Sequence, residues 1–312
     1  MKPPARDEAD VPHGIGPGPV ARWRLFGVLR VALLISLAGA VVALAVLSLV
    51  DLEGDAGFFG RGGGLLLIGV VSLVTGFIDY SLGMGHGTLV SPVLFVFGFD
   101  ALQIIPAVLA SEVLAGVVAG VLHQRFANID LGRRTQDFAI VRVAVPFGVI
   151  AAVAGAAAAV GMDGRAGDVV LGVVVLIAGG FVIAGRGRLG SFSLRKAGVL
   201  GAAAGTVKAL VGGGYGPALT GGQIALGRPG RNAVGVTTVS EAAVALAGFA
   251  VFAVLHGAPN WDLVLALSIG ALLATPAAAW TVRLVPDRGL TAAVGVTACA
   301  FGLIALLRAL VG

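Results

Sequence analysis

Asp79, Glu112, Lys208 and Glu241 each stand inside a long apolar stretch, where an ionisable side chain is costly and is by default paired or functional. Asp79 and Lys208 occupy matching places. Each precedes by four residues the first glycine of a glycine-rich break, Gly83-Met84-Gly85-His86-Gly87 in one case and Gly212-Gly213-Gly214-Tyr215-Gly216 in the other. Two readings stay open: a structural ion pair between Asp79 and Lys208, or a part in handling a proton or an anionic solute, with Lys208 supplying positive charge. Glu112 and Glu241 each follow a serine. A carboxyl group in apolar surroundings suits reversible protonation in a coupling cycle, and the alternative is a neutral acid hydrogen-bonded to a neighbouring helix.

A backbone that leaves helical geometry inside a bilayer strands amide and carbonyl groups, which is tolerated only where protein or a watered cavity satisfies them. The two breaks are therefore expected to line a site. Glycine lets a ligand approach the main chain, and the short apolar stub after each break starts a helix whose free amides and dipole favour an anion. Two such stubs facing each other near the midplane would form an anion cradle from Gly83, Gly85 and Gly87 on one side and Gly212, Gly213, Gly214 and Gly216 on the other. His86 and Tyr215, at equivalent positions, offer donors to a bound oxyanion, and Thr88, Thr220 and Gln223 could complete the shell. Local capping accounts for each of these equally well when taken alone. The competing reading of the glycines is close helix packing, which is the one adopted for Gly116 and Gly120.

The elements that carry these residues must cross a membrane. With 58% hydrophobic and only 12% charged residues over 312 positions, too few ionisable groups are present to cover a water-facing globule of this size. Apolar runs near 25–50, 101–123, 138–160, 168–185, 233–256, 261–284 and 289–311 approach or exceed the roughly 20 residues a helix needs to cross. With the broken segments 64–80 and 197–210, about eight or nine helical spans are expected, so the fold class is all-α and polytopic. Residues 1–24 read as a disordered cytoplasmic tail, and 25–62 as an extra N-terminal span and its loop.

The broken segments align without a gap at an offset of 129 positions. Gly76, Gly83, Gly85, Gly87 and Gly98 fall on Gly205, Gly212, Gly214, Gly216 and Gly227, and Ser111-Glu112 falls on Ser240-Glu241. A second echo sets Asn128-Ile129-Asp130-Leu131 against Asn260-Trp261-Asp262-Leu263 after a small insertion. The chain therefore reads as an internal duplication, repeat one over 63–190 and repeat two over 191–312. Lys and Arg in short loops mark the cytoplasmic face, so Arg22 and Arg24 put the N-terminus inside, as do Arg125, Arg133, Arg134, Arg186, Arg188, Arg195 and Lys196 for their loops. The acidic loop Asp51 to Asp55 is then outside, and only an odd number of crossings fits between residues 64 and 124. A re-entrant hairpin over 64–99 plus one full span satisfies this, and the same rule in repeat two keeps Arg228 and Arg231 inside, so each half is a hairpin plus three spans, inserted in opposite orientations as in many secondary transporters.

The formal charge of +5 lies in inter-span loops and not on one face, so it reads as a topology signal and no nucleic-acid partner is expected. Cys299, the one cysteine, reads as a packed thiol; His123 and His256 read as interfacial. Neither a metal site nor a cofactor is expected, and no nucleotide loop, nucleophile elbow or metalloprotease helix suggests an enzyme.

Gly76-Phe77-Ile78-Asp79, the first break through Ser91-Pro92, and the second break through Pro217 to Gly221-Gly222-Gln223 resemble the sulfite exporter TauE/SafE family, as do Ala233-Val234-Gly235 and Ser240-Glu241. The resemblance runs from about residue 64 to the C-terminus. It implies a bacterial inner-membrane permease with a tandem repeat, associated with movement of sulfite and small organosulfur anions. Met84 and His86 interrupt the more uniform glycine run of that family. The reading that results is a secondary transporter of a small anion, coupled to protons through Asp79, Glu112 or Glu241, with a passive anion channel as the alternative.

Overall fold

The computed structural model describes residues 61–99, 101–159, 164–184 and 190–311. The expected tail and first span lie outside the described residues, as do Arg186 and Arg188. All regular structure among the described residues is helical: α1 Arg61–Leu82, α2 His86–Val96, α3 Ala101–Arg125, α4 Gln136–Ala159, α5 Gly164–Ala184, α6 Leu194–Val211, α7 Tyr215–Ala225, α8 Gly230–His256, α9 Trp261–Leu284 and α10 Asp287–Val311. Helices satisfy their own main-chain polar groups, which is why a chain with lipid for solvent adopts them. Their outer faces are apolar, with Leu66, Val121, Ile150, Leu273 and Leu303 each more than half exposed, while Asp79, Glu112, Lys208 and Glu241 are buried. This inverts the distribution of a water-soluble protein.

Six of the described helices are long and apolar enough to cross a bilayer, namely α1, α3, α4, α8, α9 and α10. The apolar part of α5, Gly172–Ala184, is shorter, although all 21 residues of the helix extend about 31 Å. Local chemistry fixes several ends. Ser193 caps α6 by accepting from the Lys196 amide, Asn260 caps α9 by accepting from the Leu263 amide, and Thr135 accepts from the Phe138 amide at the start of α4. The Asn128 echo of Asn260 is not a structural equivalence. Asn128 lies eight residues before α4 and uses its side-chain amide to bond Ala279 O.

Both glycine-rich segments break and fold back. Ser72 of α1 lies 3.4 Å from His86 at the start of α2, which a chain continuing straight past Leu82 could not achieve. In the second case a Cβ placed on Gly222 of α7 would come within 2.9 Å of Leu200 of α6. The first arm is longer than half a bilayer: the 22 residues of α1 cover about 33 Å. Its last turn reaches past the middle of α3, where Tyr80 O accepts from His123.

The packing interleaves one set of helices, α1 to α5, with a second set, α6 to α10. The first helix of each lies along the fourth of the other, α1 on α9 and α6 on α4, while α3 packs on α8 and α5 on α10. Small residues let these axes approach. A Cβ on Gly205 would sit 2.9 Å from Gly148 Cα, and one on Gly116 would meet Ala242 Cβ at 2.9 Å, so Gly116 is a packing glycine as expected. Cys299 is half-buried against Gly179 between α5 and α10.

The loops following α3, preceding α6 and joining α7 to α8 and α9 to α10 gather at one end. Asp137 at the start of α4 pairs with Arg228, Asn128 meets Ala279, and Arg231 donates to Arg283 O. Arg125, Arg133, Arg134, Arg195 and Lys196 belong to the same end.

Candidate functional site

The α1–α2 and α6–α7 hairpins enter the bundle from opposite ends, and their breaks meet. Gly83 and Gly85 take φ values of +66° and +77°, and Gly212 and Gly214 take +71° and +81°, a region closed to most side chains. The contact is main chain on main chain: a Cβ on Gly216 would stand 2.6 Å from Gly83 O, and one on Gly213 would stand 2.8 Å from Thr88 Cα. Thr88 Oγ1 accepts from the Gly214 amide at 2.6 Å, tying one break to the other.

Around this junction the four intramembrane ionisable groups come together. Lys208, one turn before Gly212, donates from Nζ to Glu112 Oε2 at 2.6 Å and to Glu241 Oε1 at 3.0 Å. Glu112 Oε1 accepts from the Gly87 amide at 3.0 Å. Asp79 Oδ1 accepts from the Gly85 amide at 2.6 Å. All four side chains are under 6% exposed, so the cluster is closed to both faces.

These contacts bear on two expectations. Lys208 forms its ion pairs with Glu112 and Glu241, so the proposed Asp79–Lys208 pair gives way to a clasp of two glutamates from α3 and α8. The amides expected to face an anion are also engaged by the protein itself: Asp79 holds Gly85, Glu112 holds Gly87 and Thr88 holds Gly214. The physical reason is common to both. A carboxylate and an amide that are each buried in the same dry volume satisfy one another, because leaving either without a partner is expensive.

His86 and Tyr215 are the first residues of α2 and α7. Ser72 Oγ donates its one proton to Leu267 O, so at the 3.4 Å contact His86 Nε2 is the donor, and Nδ1 is left as an unpartnered acceptor. Tyr215 packs with Ala144, Ala152, Ala204 and Val244, and its hydroxyl is unpartnered. Gln223 Nε2 donates to Thr237 Oγ1 at 3.1 Å, while Gln223 Oε1 and Thr220 Oγ1 have no partner.

Other polar groups escaped the sequence reading. His123, in the last turn of α3, is fully buried: Nε2 donates to Tyr80 O and Nδ1 accepts from Asn128 at 3.0 Å, joining α1, α3 and α9. Asp137 accepts from Arg228, from Asn232 at 2.9 Å and from the Asp130 amide, and Arg228 lies over the Phe192 ring at 5.4 Å. Arg228 is thus more than a topology charge. One signal was present in the sequence, since Asp137 opens α4 and Asp262 opens α9.

A junction of two broken helices around buried charge, in an all-helical membrane protein, can be compared with known proteins. The family model "Sulfite exporter TauE/SafE" matches residues 67–304. The chain belongs to the sulfite exporter TauE/SafE family. Both breaks and all four ionisable residues of the cluster fall within the matched range. The "Probable membrane transporter protein YtnM" of Bacillus subtilis (strain 168) is 30% identical over 233 residues, covering 70% of this chain and 75% of the relative. No solved structure matches. Membership in the TauE/SafE family places the chain among membrane transporters and not among enzymes.

Proposed function

We propose that this protein is a secondary transporter of a small oxyanion, sulfite or a small organosulfur anion, and that Lys208 and the amides of the two breaks are its binding groups. The observation that carries the reading is the Lys208 ammonium, held by Glu112 and Glu241 where two unwound main-chain segments touch. An ammonium beside preoriented amides suits an anion with several oxygens. In the closed arrangement, Asp79 and Glu112 occupy the Gly85 and Gly87 amides, where substrate oxygens would bind. Uptake of a proton by one of these carboxyl groups would weaken its hold and free an amide for the solute. Anion and proton would then move together, with the two matched sets of helices alternating the side from which the junction is reached.

The orientation follows from charge. The end carrying Arg125, Arg133, Arg134, Arg195 and Lys196 is assigned to the cytoplasm of a bacterial inner membrane, which also places the N-terminus inside if residues 25–50 cross once.

Proteoliposomes loaded with labelled sulfite, sulfoacetate, sulfate or a carboxylate, with and without a proton gradient, test the proposal. Saturable flux of a sulfur oxyanion that rises with the gradient is expected, and Asp79→Asn or Glu112→Gln should change its dependence on the gradient. Flux proportional to concentration and indifferent to the gradient would make the protein a passive channel instead.

A further inference from the structure

The two matched halves differ in the side chains that close them. At the offset of 129 positions, Gln223 and Thr237 stand where the first half has Leu94 and Val108, while Thr220 matches a residue that is also polar, Ser91. Leu94 and Val108 are fully buried in an apolar cluster with Ile68, Ile104 and Leu267, and Val108 lies against Gly87. On the other side the corresponding seam is polar. Gly216, Thr220 and Gln223 recur at steps of four and three residues and so share one face of α7. Gly216 touches the first break, Thr220 lies against Gly83, and Gln223 bonds Thr237 of α8. Thr237 is one turn from Glu241, which pairs with Lys208. This line runs from the charged junction to the end of α7, next to Arg228 and the basic end of the molecule.

Thr220 Oγ1 and Gln223 Oε1 are wholly buried and without a partner. A buried polar atom left unsatisfied raises the energy of the closed state, and hydration on opening relieves it. Opening the Leu94–Val108 seam would instead expose apolar surface to water. We infer that the seam of Thr220, Gln223 and Thr237 is the access route by which a small anion reaches the Lys208 junction from the basic end, and that Leu94 and Val108 form the seal against the opposite end. The inference rests on the transport reading and adds to it the side that opens from the closed state.

Side-specific labelling tests it. In a Cys299→Ser background, single cysteines at Thr237, Val108 and Arg133 are treated with the membrane-impermeant anion 2-sulfonatoethyl methanethiosulfonate, in right-side-out and inside-out vesicles. Arg133→Cys marks the basic face. Thr237→Cys should react from that same face, roughly tenfold faster than Val108→Cys reacts from either face, because local opening exposes only the polar seam. Equal rates at the two positions, fast or slow, would overturn the inference, and so would labelling of Thr237→Cys from the face opposite Arg133→Cys. Gln223→Cys replaces Thr237→Cys if the latter does not elute as a folded protein. The labelling needs no transported solute, so a failure of sulfite flux and a failure of this route are read separately.

Discussion

Among the described residues, Lys208 is the one basic group paired with the buried carboxyl groups of the junction, and its removal would leave Glu112 and Glu241 facing each other without compensation. Breaking a buried pair from one side costs about 3–5 kcal/mol, so Lys208→Met should lower the melting temperature in detergent and abolish flux. Adding Glu241→Gln should recover part of the stability and none of the flux. A Lys208→Met protein as stable as the parent would mean that the ammonium does not hold the glutamates. Lys208→Arg should keep more anion affinity than Lys208→Ala, read by substrate protection in a binding assay. Backbone geometry gives a second prediction at this scale. Gly85 and Gly98 both adopt positive φ, but a Cβ at Gly85 would meet Thr88 Oγ1 at 3.0 Å and Glu241 Oε1 at 3.3 Å, whereas at Gly98 it meets open space. Gly98→Ala should therefore cost only the left-handed backbone penalty of about 1–2 kcal/mol, and Gly85→Ala more, with loss of transport. Equal stability and equal flux in the two variants would remove the close junction. The identities of these residues were legible in the sequence because an ionisable group inside an apolar run stands out. Their partners were not, since matched offset placed Asp79 opposite Lys208, while the contact belongs to Glu112 and Glu241 on two other helices.

Between elements, the hairpins depend on bare main chain where they touch. Gly216→Ala should push α7 away from the first break, because its Cβ would overlap Met84 C at 2.6 Å. Gly180→Ala, with nothing within 4 Å, should be tolerated and could gain up to about 1 kcal/mol from helix propensity. Thermal unfolding in detergent compares the two, and a stable, active Gly216→Ala would show that the hairpins do not need this contact. The Arg228–Asp137 pair ties the α7–α8 link to the start of α4, so Arg228→Ala should destabilise by about 3 kcal/mol, read as a lower melting temperature. A shift within error would place the pair among the surface ion pairs that contribute little. Helix existence was readable from apolar length, and the breaks from alternating glycines. The depth of α1 was not: its sequence shows where regular structure stops, but only its packing along α9 and against His123 shows that it stops beyond the middle of α3.

Across the whole molecule, the loops at the two ends differ in charge, and that difference is what a membrane reads during insertion. Cysteines at Arg133 and Ser191 should label from one face and a cysteine at Ala258 from the other; labelling of all three from one face would refute the crossing order. The two sets of five helices interleave, so neither 63–190 nor 191–312 is expected to fold as an isolated piece: α1 buries its small-residue face on α9 and α6 does so on α4. By itself the sequence determined the solvent, the helices, the breaks, the family and the residues that could bear charge, because these depend on composition, on spacing along one chain and on local backbone preference. Which carboxylate meets which donor, how far each hairpin reaches and which seam is polar were decided by tertiary structure. Those are distances between segments more than a hundred residues apart, and they are set by how small residues let particular helices approach.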